Sequence, residues 1–377
     1  VSDRAYLDHA STSTLRPEAL AAVVGWLERS ARGEVGDPGR LHAEGLTARV
    51  AVETAREQVA ALVGARPREV VFCSGFTEAV AALCWGAAQD RGPHSVLSAV
   101  EHSAVREWAA RGPAAVVGVD RRGRVDAAEL TAEIRDDTGL VHLQWANHEV
   151  GTLQPVAEVA AAARARGVLV HTDATQSLGK DPALRFDSSG VDLMTVSAHE
   201  LGGPTGVGAL VVRRGVRLTP LVVGGDQERA RRAGVEDVAA IVGFGAAAGA
   251  VADRLADEAA RFARLTERVV AWAGSAEGVE VLGDPVDRLP HLVCLGLEGV
   301  EPQPVLIGLD RAGVAVHSGS SCSSEALEPS PVLAAMGVDA ERSLRVSVGW
   351  SSTDADVDRL LDALPHVLGE LRALRRG

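Results

Sequence analysis

A chain of 377 residues with 46% hydrophobic and 24% charged side chains can bury one large domain and a smaller one. Its net charge of −13 excludes nucleic acid as the main partner and argues against an anionic membrane surface, because phosphate groups are held by a basic face. No apolar run is long enough to cross a bilayer and no signal-peptide pattern opens the sequence, so the expectation is a cytoplasmic protein without a membrane partner.

In chain order, helical periodicity with Pro17 in the first turn predicts a helix over residues 16–32. A longer amphipathic helix is expected over 47–63, closed by Gly64. "EVVFCSG" at 69–75 reads as a strand entering a Ser-Gly turn, followed by a helix over 77–88. "HSVLSAV", "GLVHLQWAN", "GVLVHTDA" and "VDLMTVSAH" are further apolar strands, mostly separated by helical segments such as 156–166. That alternation predicts a largely parallel sheet covered on both faces. "GALVVRR" and "LTPLVVGG" follow closely and are candidates for an antiparallel strand. One long Ala-rich helical stretch is expected from 236 to about 273, then the strands "GVEVLG" and "HLVCLGL", a helix near 304–312, and a last helix over 354–375 with a bend at Pro365. The expected division is a large α/β domain over 16–250 and a small α+β domain made of 1–15 with 251–377.

Ligands of an open parallel sheet sit beyond the carboxyl ends of its strands. Five predicted strand ends finish in polar groups: Ser74-Gly75-Phe76-Thr77, Glu101-His102-Ser103, Asn147-His148-Glu149, Asp173-Ala174-Thr175-Gln176 and Ser197-Ala198-His199. The first of these opens a helix, where free N–H groups and hydroxyls favour a phosphate. A plain helix cap explains that turn alone; all five ends together point to a polar ring carrying a phosphate. The four cysteines, Cys73, Cys84, Cys294 and Cys322, are too dispersed for a disulfide framework or a zinc site, so no metal is expected. Cys322 stands in a Ser/Gly-rich loop, while the other three lie in apolar runs. Lys180 is the only lysine in the chain.

The motifs "YLDHAST" (6–12), "LHAEGLTAR" (41–49), "ANHEVGTLQPV" (146–156), "HTDATQSLGK" (171–180), "HSGSSCSSEALEPSPVLAAMG" (317–337) and "LRVSVG" (344–349) resemble those of the cysteine desulfurases. These are pyridoxal-phosphate enzymes of the aspartate-aminotransferase-like fold (fold type I). The resemblance covers nearly the whole chain. It implies that Asp173 pairs with the pyridine nitrogen, so that the ring can accept electrons. It implies that His102 lies over the ring and moves protons, and that Asn147 and Gln176 bond around the ring oxygen. Gly75, Thr77, Ser197 and His199 would hold the phosphate. Cys322 would attack the substrate sulfur and carry a persulfide, and Arg345 would clamp the carboxylate of L-cysteine. A homodimer is implied, with residues 224–237 crossing to the partner, as is a sulfur-acceptor protein.

The sequence departs from this family at "SAHELGG", residues 197–203. The residue after Ser197-Ala198-His199 is lysine in the family, where it forms the imine link to the cofactor. Here it is Glu200. A carboxylate forms no imine, and Lys180 lies beyond the turn that follows Asp173. Val235 replaces a threonine that reaches a phosphate across the dimer, and His148 replaces a more usual Asn. The first reading is a desulfurase-like enzyme that binds pyridoxal or pyridoxamine phosphate without a covalent link, with Glu200 or His102 moving protons. The second is a catalytically impaired scaffold subunit in sulfur transfer. A third, in which Glu200 is a deliberate replacement in an ordinary desulfurase, is disfavoured by Val235.

Overall fold

The computed structural model describes residues 4–318 and 329–376; Cys322 lies outside the described residues. Twelve strands form among them: β1 (Ala5–Tyr6), β2 (Val70–Cys73), β3 (His94–Ser98), β4 (Ala114–Val117), β5 (Thr138–His142), β6 (Leu169–Asp173), β7 (Leu193–Ser197), β8 (Gly208–Val212), β9 (Val279–Leu282), β10 (Leu292–Leu297), β11 (Val314–Ala315) and β12 (Ser343–Ser347). Seven make the main sheet, in the order β2-β8-β7-β6-β5-β3-β4. β8 runs antiparallel to both its neighbours, so the other six point the same way. This is the expected α/β architecture, with "GALVVRR" supplying the antiparallel strand.

The alternation inside each strand explains the two covered faces. Val70 and Phe72 turn into one core with Val96, Val141, Val170 and Met194. Val71 turns into the opposite core with Leu140, Leu169, Leu193 and Leu210, which Leu83 of the helix Phe76–Asp90 covers. Successive side chains on a strand point to opposite faces, so a strand buried on both sides reads as an unbroken apolar run. The second sheet, β12-β10-β9, is antiparallel and has its own core of Phe262, Leu295, Leu344 and Leu360.

Two segments differ from the sequence reading. "LTPLVVGG" is not a strand. Pro220 has no N–H to give a ladder, and the Thr219 N–H and hydroxyl are tied to Asp90 at 2.6 and 2.9 Å. The long Ala-rich stretch is two helices, Val238–Ala252 and Leu255–Ala273, meeting at 78° around exposed Asp253 and Arg254. The first packs on the helices Pro17–Ala31 and Ala43–Val63 of the large core, the second on the small sheet. The last helix, Asp354–Arg376, forms where it is expected and contains Pro365. No single helix among the described residues is long and apolar enough to cross a membrane.

The N-terminal residues stitch the two sheets together at the carboxyl edge of the large one. β1 pairs with β11, Asp8 bridges to Ser347, and the Ala10 carbonyl accepts a bond from Gln176 Nε2 at 2.8 Å. Beneath that edge, His142 and His171 on adjacent strands are buried, with their Nδ1 atoms 3.0 Å apart. One imidazole must therefore donate and the other accept, and neither has room for a second proton at the contact. Burial pushes His142 down to about 3.

A folded-state value below the unfolded 6.5 means that the unfolded chain takes up this proton first. The stability contributed is complete above the unfolded value and is lost as pH falls toward the folded one. His142→Gln is therefore expected to lose stability less steeply with acid than the parent below about pH 6.5, by about 1.4 kcal/mol per pH unit. Urea unfolding at stepped pH checks this; equal slopes in the two proteins would contradict it.

Candidate active site

A cavity of about 440 Å³ opens at the carboxyl edge of the large sheet. The chain turns that follow β2, β3, β6 and β7 bring Gly75, Thr77, His102, Asp173, Gln176, Ser197, His199 and Glu200 to its wall. Arg345 reaches it from β12 of the small sheet. Nearly all the site residues expected among the described residues thus converge on one space.

Asn147 is the exception. Its amide nitrogen donates to the Val100 carbonyl at 3.2 Å, and its side-chain oxygen accepts from the N–H groups of Glu149 and Val150 at 2.8 and 2.9 Å. It is fully buried and spans the turn after β5, where it serves as an internal brace off the cavity wall. The next residue, His148, takes the wall position instead. Both its ring nitrogens are buried without a hydrogen bond, Nε2 lies 3.7 Å from Glu149 Oε1, and its ring meets His102 edge-on, 5.3 Å between centroids.

The phosphate-type end is built by backbone. Gly75 has φ 147°, a conformation that side-chain-bearing residues rarely adopt, and directly precedes the fifteen-residue helix Phe76–Asp90. The first N–H groups of that helix have no partner within it and favour an anion. Glu78 binds the Ser74 N–H at 2.8 Å and is held by Arg232 at 2.9 and 3.3 Å. Burial pushes its carboxyl up, but the bonds from Arg232 and Ser74 outweigh this and keep it below the ordinary value. Arg232 follows a left-handed stretch, Glu228, Arg229 and Ala230, all with positive φ. Glu228 anchors that stretch through a bidentate pair with Arg56, both contacts 2.7 Å, and the Phe72 N–H at 2.9 Å.

Asp173 ends β6 and is buried; its Oδ1 accepts the Thr175 N–H at 2.9 Å. Burial raises its carboxyl, against the Thr175 bonds and the fields of His102 and His148. His102 accepts the Ala104 N–H on Nδ1 at 3.1 Å, which leaves Nε2 as the protonated nitrogen of a neutral ring. The Thr175 hydroxyl is buried beside Asp173. Arg345, 1% exposed, is held by the His148 carbonyl at 2.9 Å, Ser11 at 2.7 Å and Asp8 at 3.4 Å; its Nε has no partner. A helix N-terminus with hydroxyls and a buried carboxylate on the wall fit a phosphate-bearing, protonated heterocycle.

Glu200 sits in the short turn His199–Leu201, closed by Gly202 at φ 82°. A Cβ on Gly202 would lie 2.8 Å from the Thr14 carbonyl and Arg16, so the segment must be glycine here. Glu200 lines the cavity, with Oε1 3.2 Å from His199 Nε2 and Oε2 buried without a hydrogen-bond partner. Burial raises its carboxyl, opposed by the charges of His199 and Lys180 and by bonds from its own N–H and the Ser197 hydroxyl. Lys180 is buried within electrostatic reach of Glu200, off the cavity wall, with no hydrogen-bond partner on Nζ. Burial pulls it down to about 8 although Glu200 pulls the other way. The sequence reading set Lys180 aside; the fold makes it the counter-charge behind Glu200. Both residues follow the ends of adjacent parallel strands, which was the signal available.

The sequence model of the aminotransferase class-V family matches residues 5–360. A cysteine desulfurase of Trichormus azollae is 38% identical over 380 residues, covering 98% of this chain and 94% of that protein. Among solved structures, a NifS-like protein superimposes with a TM-score of 0.90 at 30% identity, covering 98% of this chain and 100% of the other. A structure described as SspA in complex with cysteine matches with a TM-score of 0.79 at 26% identity, over 92% of this chain and 99% of that one.

Burial pushes Cys73, Cys84 and Cys294 each up to about 12, so almost none of any of them is thiolate at neutral pH. Limiting alkylation at neutral pH is expected to label Cys322 and leave these three unmodified. Peptide mapping checks this; label on any of the three ahead of Cys322 would contradict it.

Proposed function

Since the chain belongs to the class-V aminotransferase family, and to its cysteine desulfurase branch, we propose that it mobilises sulfur from L-cysteine on a pyridoxal-phosphate-type cofactor held without a covalent link to the protein. The family depends on pyridoxal phosphate, which when bound supplies an electron sink for bond cleavage at the amino-acid carbons. The observation that carries the reading is the convergence of four strand-end turns and Arg345 on one cavity.

This chain's residues divide the work. Gly75, Thr77, Ser197 and His199 hold the phosphate. Asp173 would keep the ring nitrogen protonated, and Gln176, whose amide nitrogen is committed to the Ala10 carbonyl, lines the same cavity. His102, neutral with a proton on Nε2, can give and take a proton over the ring. Arg345 takes the substrate carboxylate in exchange for its contacts to Ser11 and Asp8. Cys322 accepts the sulfur and passes it to an acceptor protein. Glu200 is a proton acceptor on the wall and no link to the cofactor. A non-catalytic scaffold role is favoured by Glu200 alone.

We also propose a homodimer. Leu20, Val24 and Leu27 on one helix and Leu46 and Val50 on the next leave an exposed apolar face beside a cleft of about 750 Å³. Patches of this kind on a soluble protein mark interaction surfaces. Sedimentation equilibrium at micromolar concentration is expected to give twice the chain mass, and a monomer at that concentration would contradict the assignment.

Restoring an amine tests the cofactor reading. Glu200→Lys is expected to give an imine absorbance band with pyridoxal phosphate and a borohydride-stable adduct on residue 200, while the parent gives neither. Absorbance spectra and mass spectrometry after reduction check this. An adduct on Lys180 in the parent would overturn the non-covalent reading, and an adduct-free Glu200→Lys protein would favour the scaffold.

A further inference from the structure

Glu101 is a fully buried carboxyl one residue before His102 of the cavity wall. The main sheet runs β6-β5-β3, so the end of β5 separates Glu101, which follows β3, from Asp173, which ends β6. Two successive N–H groups after β5 serve the two sides. The Gln144 N–H donates to Glu101 Oε1 at 2.8 Å, and the Trp145 N–H donates to the Asp173 carbonyl at 2.8 Å. The amide nitrogens of Gln144 and Asn147 both donate to the Val100 carbonyl, at 2.7 and 3.2 Å. The turn that carries His102 is therefore fastened to the turn after β5 through Val100 and Glu101.

Two carboxyls buried around one strand end oppose each other's ionisation. Their surroundings differ. Asp173 accepts the Thr175 N–H at 2.9 Å and feels the fields of His102 and His148. Glu101 has one donor, the Gln144 N–H, and Arg106 acts on it through its field instead of a contact. Glu101 Oε2 is buried without a hydrogen-bond partner, and so is Gln144 Oε1. As an ionised acid and an amide, both atoms only accept. The Gln144 amide is not free to turn over, because its nitrogen serves the Val100 carbonyl. A proton on Glu101 Oε2 makes that oxygen a donor, and the unmet acceptor of the adjoining turn is Gln144 Oε1. Burial, and with it the charge of Asp173, pushes Glu101 up to about 8 against the Gln144 bond and Arg106.

We propose that Glu101 is a positioning residue held as a neutral acid, which fixes the turn of His102 and leaves Asp173 as the single negative charge at its end of the cavity. The role at the ring nitrogen rests on reading the cavity as a cofactor site. An ionised Glu101 would raise Asp173 toward its protonated form, and a protonated Asp173 offers no charge to a pyridinium. Two buried carboxyls with unlike surroundings thus divide the work: one keeps the proton and the other keeps the charge.

The first test is infrared difference spectroscopy of the cofactor-free protein, parent minus Glu101→Gln. At neutral pH the parent is expected to show a protonated-carboxyl band that the variant lacks, and the band should fade as pH rises through about 8. A difference spectrum at neutral pH that shows only an ionised carboxylate would overturn the proposal. So would a Glu101→Gln chain that does not fold, since an amide is the isostere of the neutral acid. The second test is calorimetric titration with pyridoxal phosphate at neutral pH. Glu101→Gln keeps an acceptor for the Gln144 N–H and is expected to bind within about threefold of the parent. Glu101→Ala removes that acceptor and is expected to bind about tenfold more weakly, the equivalent of one buried hydrogen bond. Parent-like binding by Glu101→Ala, or binding by Glu101→Gln as weak as that of Glu101→Ala, would overturn the positioning role. No binding by the parent itself would remove the cofactor reading, while the infrared result would still decide where the proton lies.

Discussion

A carboxylate buried on the wall of an anion-binding cavity is the constraint around which this site is arranged. Taking an isolated carboxylate out of water costs several kcal/mol, and a dianionic phosphate in the same cavity adds repulsion. The chain offsets this with fields instead of a contact ion pair. Lys180 stands behind Glu200, His199 beside it, and the Ser197 hydroxyl and the residue's own N–H complete the support. The chain's one amine side chain, Lys180, lies off the wall and acts as a counter-charge to Glu200.

The same edge of the sheet depends on the N-terminal segment. Asp8 and Ser11 hold Arg345, the Ala10 carbonyl holds Gln176, and Thr12 approaches His199. Arg16 runs under the turn that carries Glu200 and ends in a buried bidentate pair with Glu258. Residues from the start, middle and end of the chain therefore meet at one place, so the cavity exists only when both sheets are docked. A second brace comes from Glu228 and Arg56, which fix the left-handed segment that delivers Arg232 to Glu78 and so to the phosphate-type turn.

The strands of the main sheet other than its edge strand β4 were legible in the sequence because each is a run of apolar residues ending in polar ones, and the sheet's direction followed from the helices between them. The convergence of their ends was legible from the rule that places ligands at that edge. What was hidden is informative. "LTPLVVGG" has the composition of a strand, but its Thr219 N–H is claimed by Asp90, a long-range contact that no local pattern reveals. The break at Asp253 and Arg254 was masked by alanine on both sides, since alanine favours helix whichever core it serves. Asn147 looked like a ring contact by its place in a motif, yet its three hydrogen bonds are internal. Lys180 looked remote because sequence distance from Glu200 says nothing about two turns lying side by side on adjacent strands.

By the proposed function, the cavity holds a phosphate-bearing pyridine cofactor by ion pairing and hydrogen bonds alone, with no covalent anchor at Glu200. A crystal structure of the unmodified protein grown with pyridoxal phosphate tests it most directly. The account predicts cofactor density with its phosphate at the Gly75–Thr77 turn, its ring nitrogen against Asp173, and a clear gap to every protein atom at its reactive carbon. Density continuous with Lys180 Nζ, or a cavity that stays empty at saturating cofactor, would contradict it.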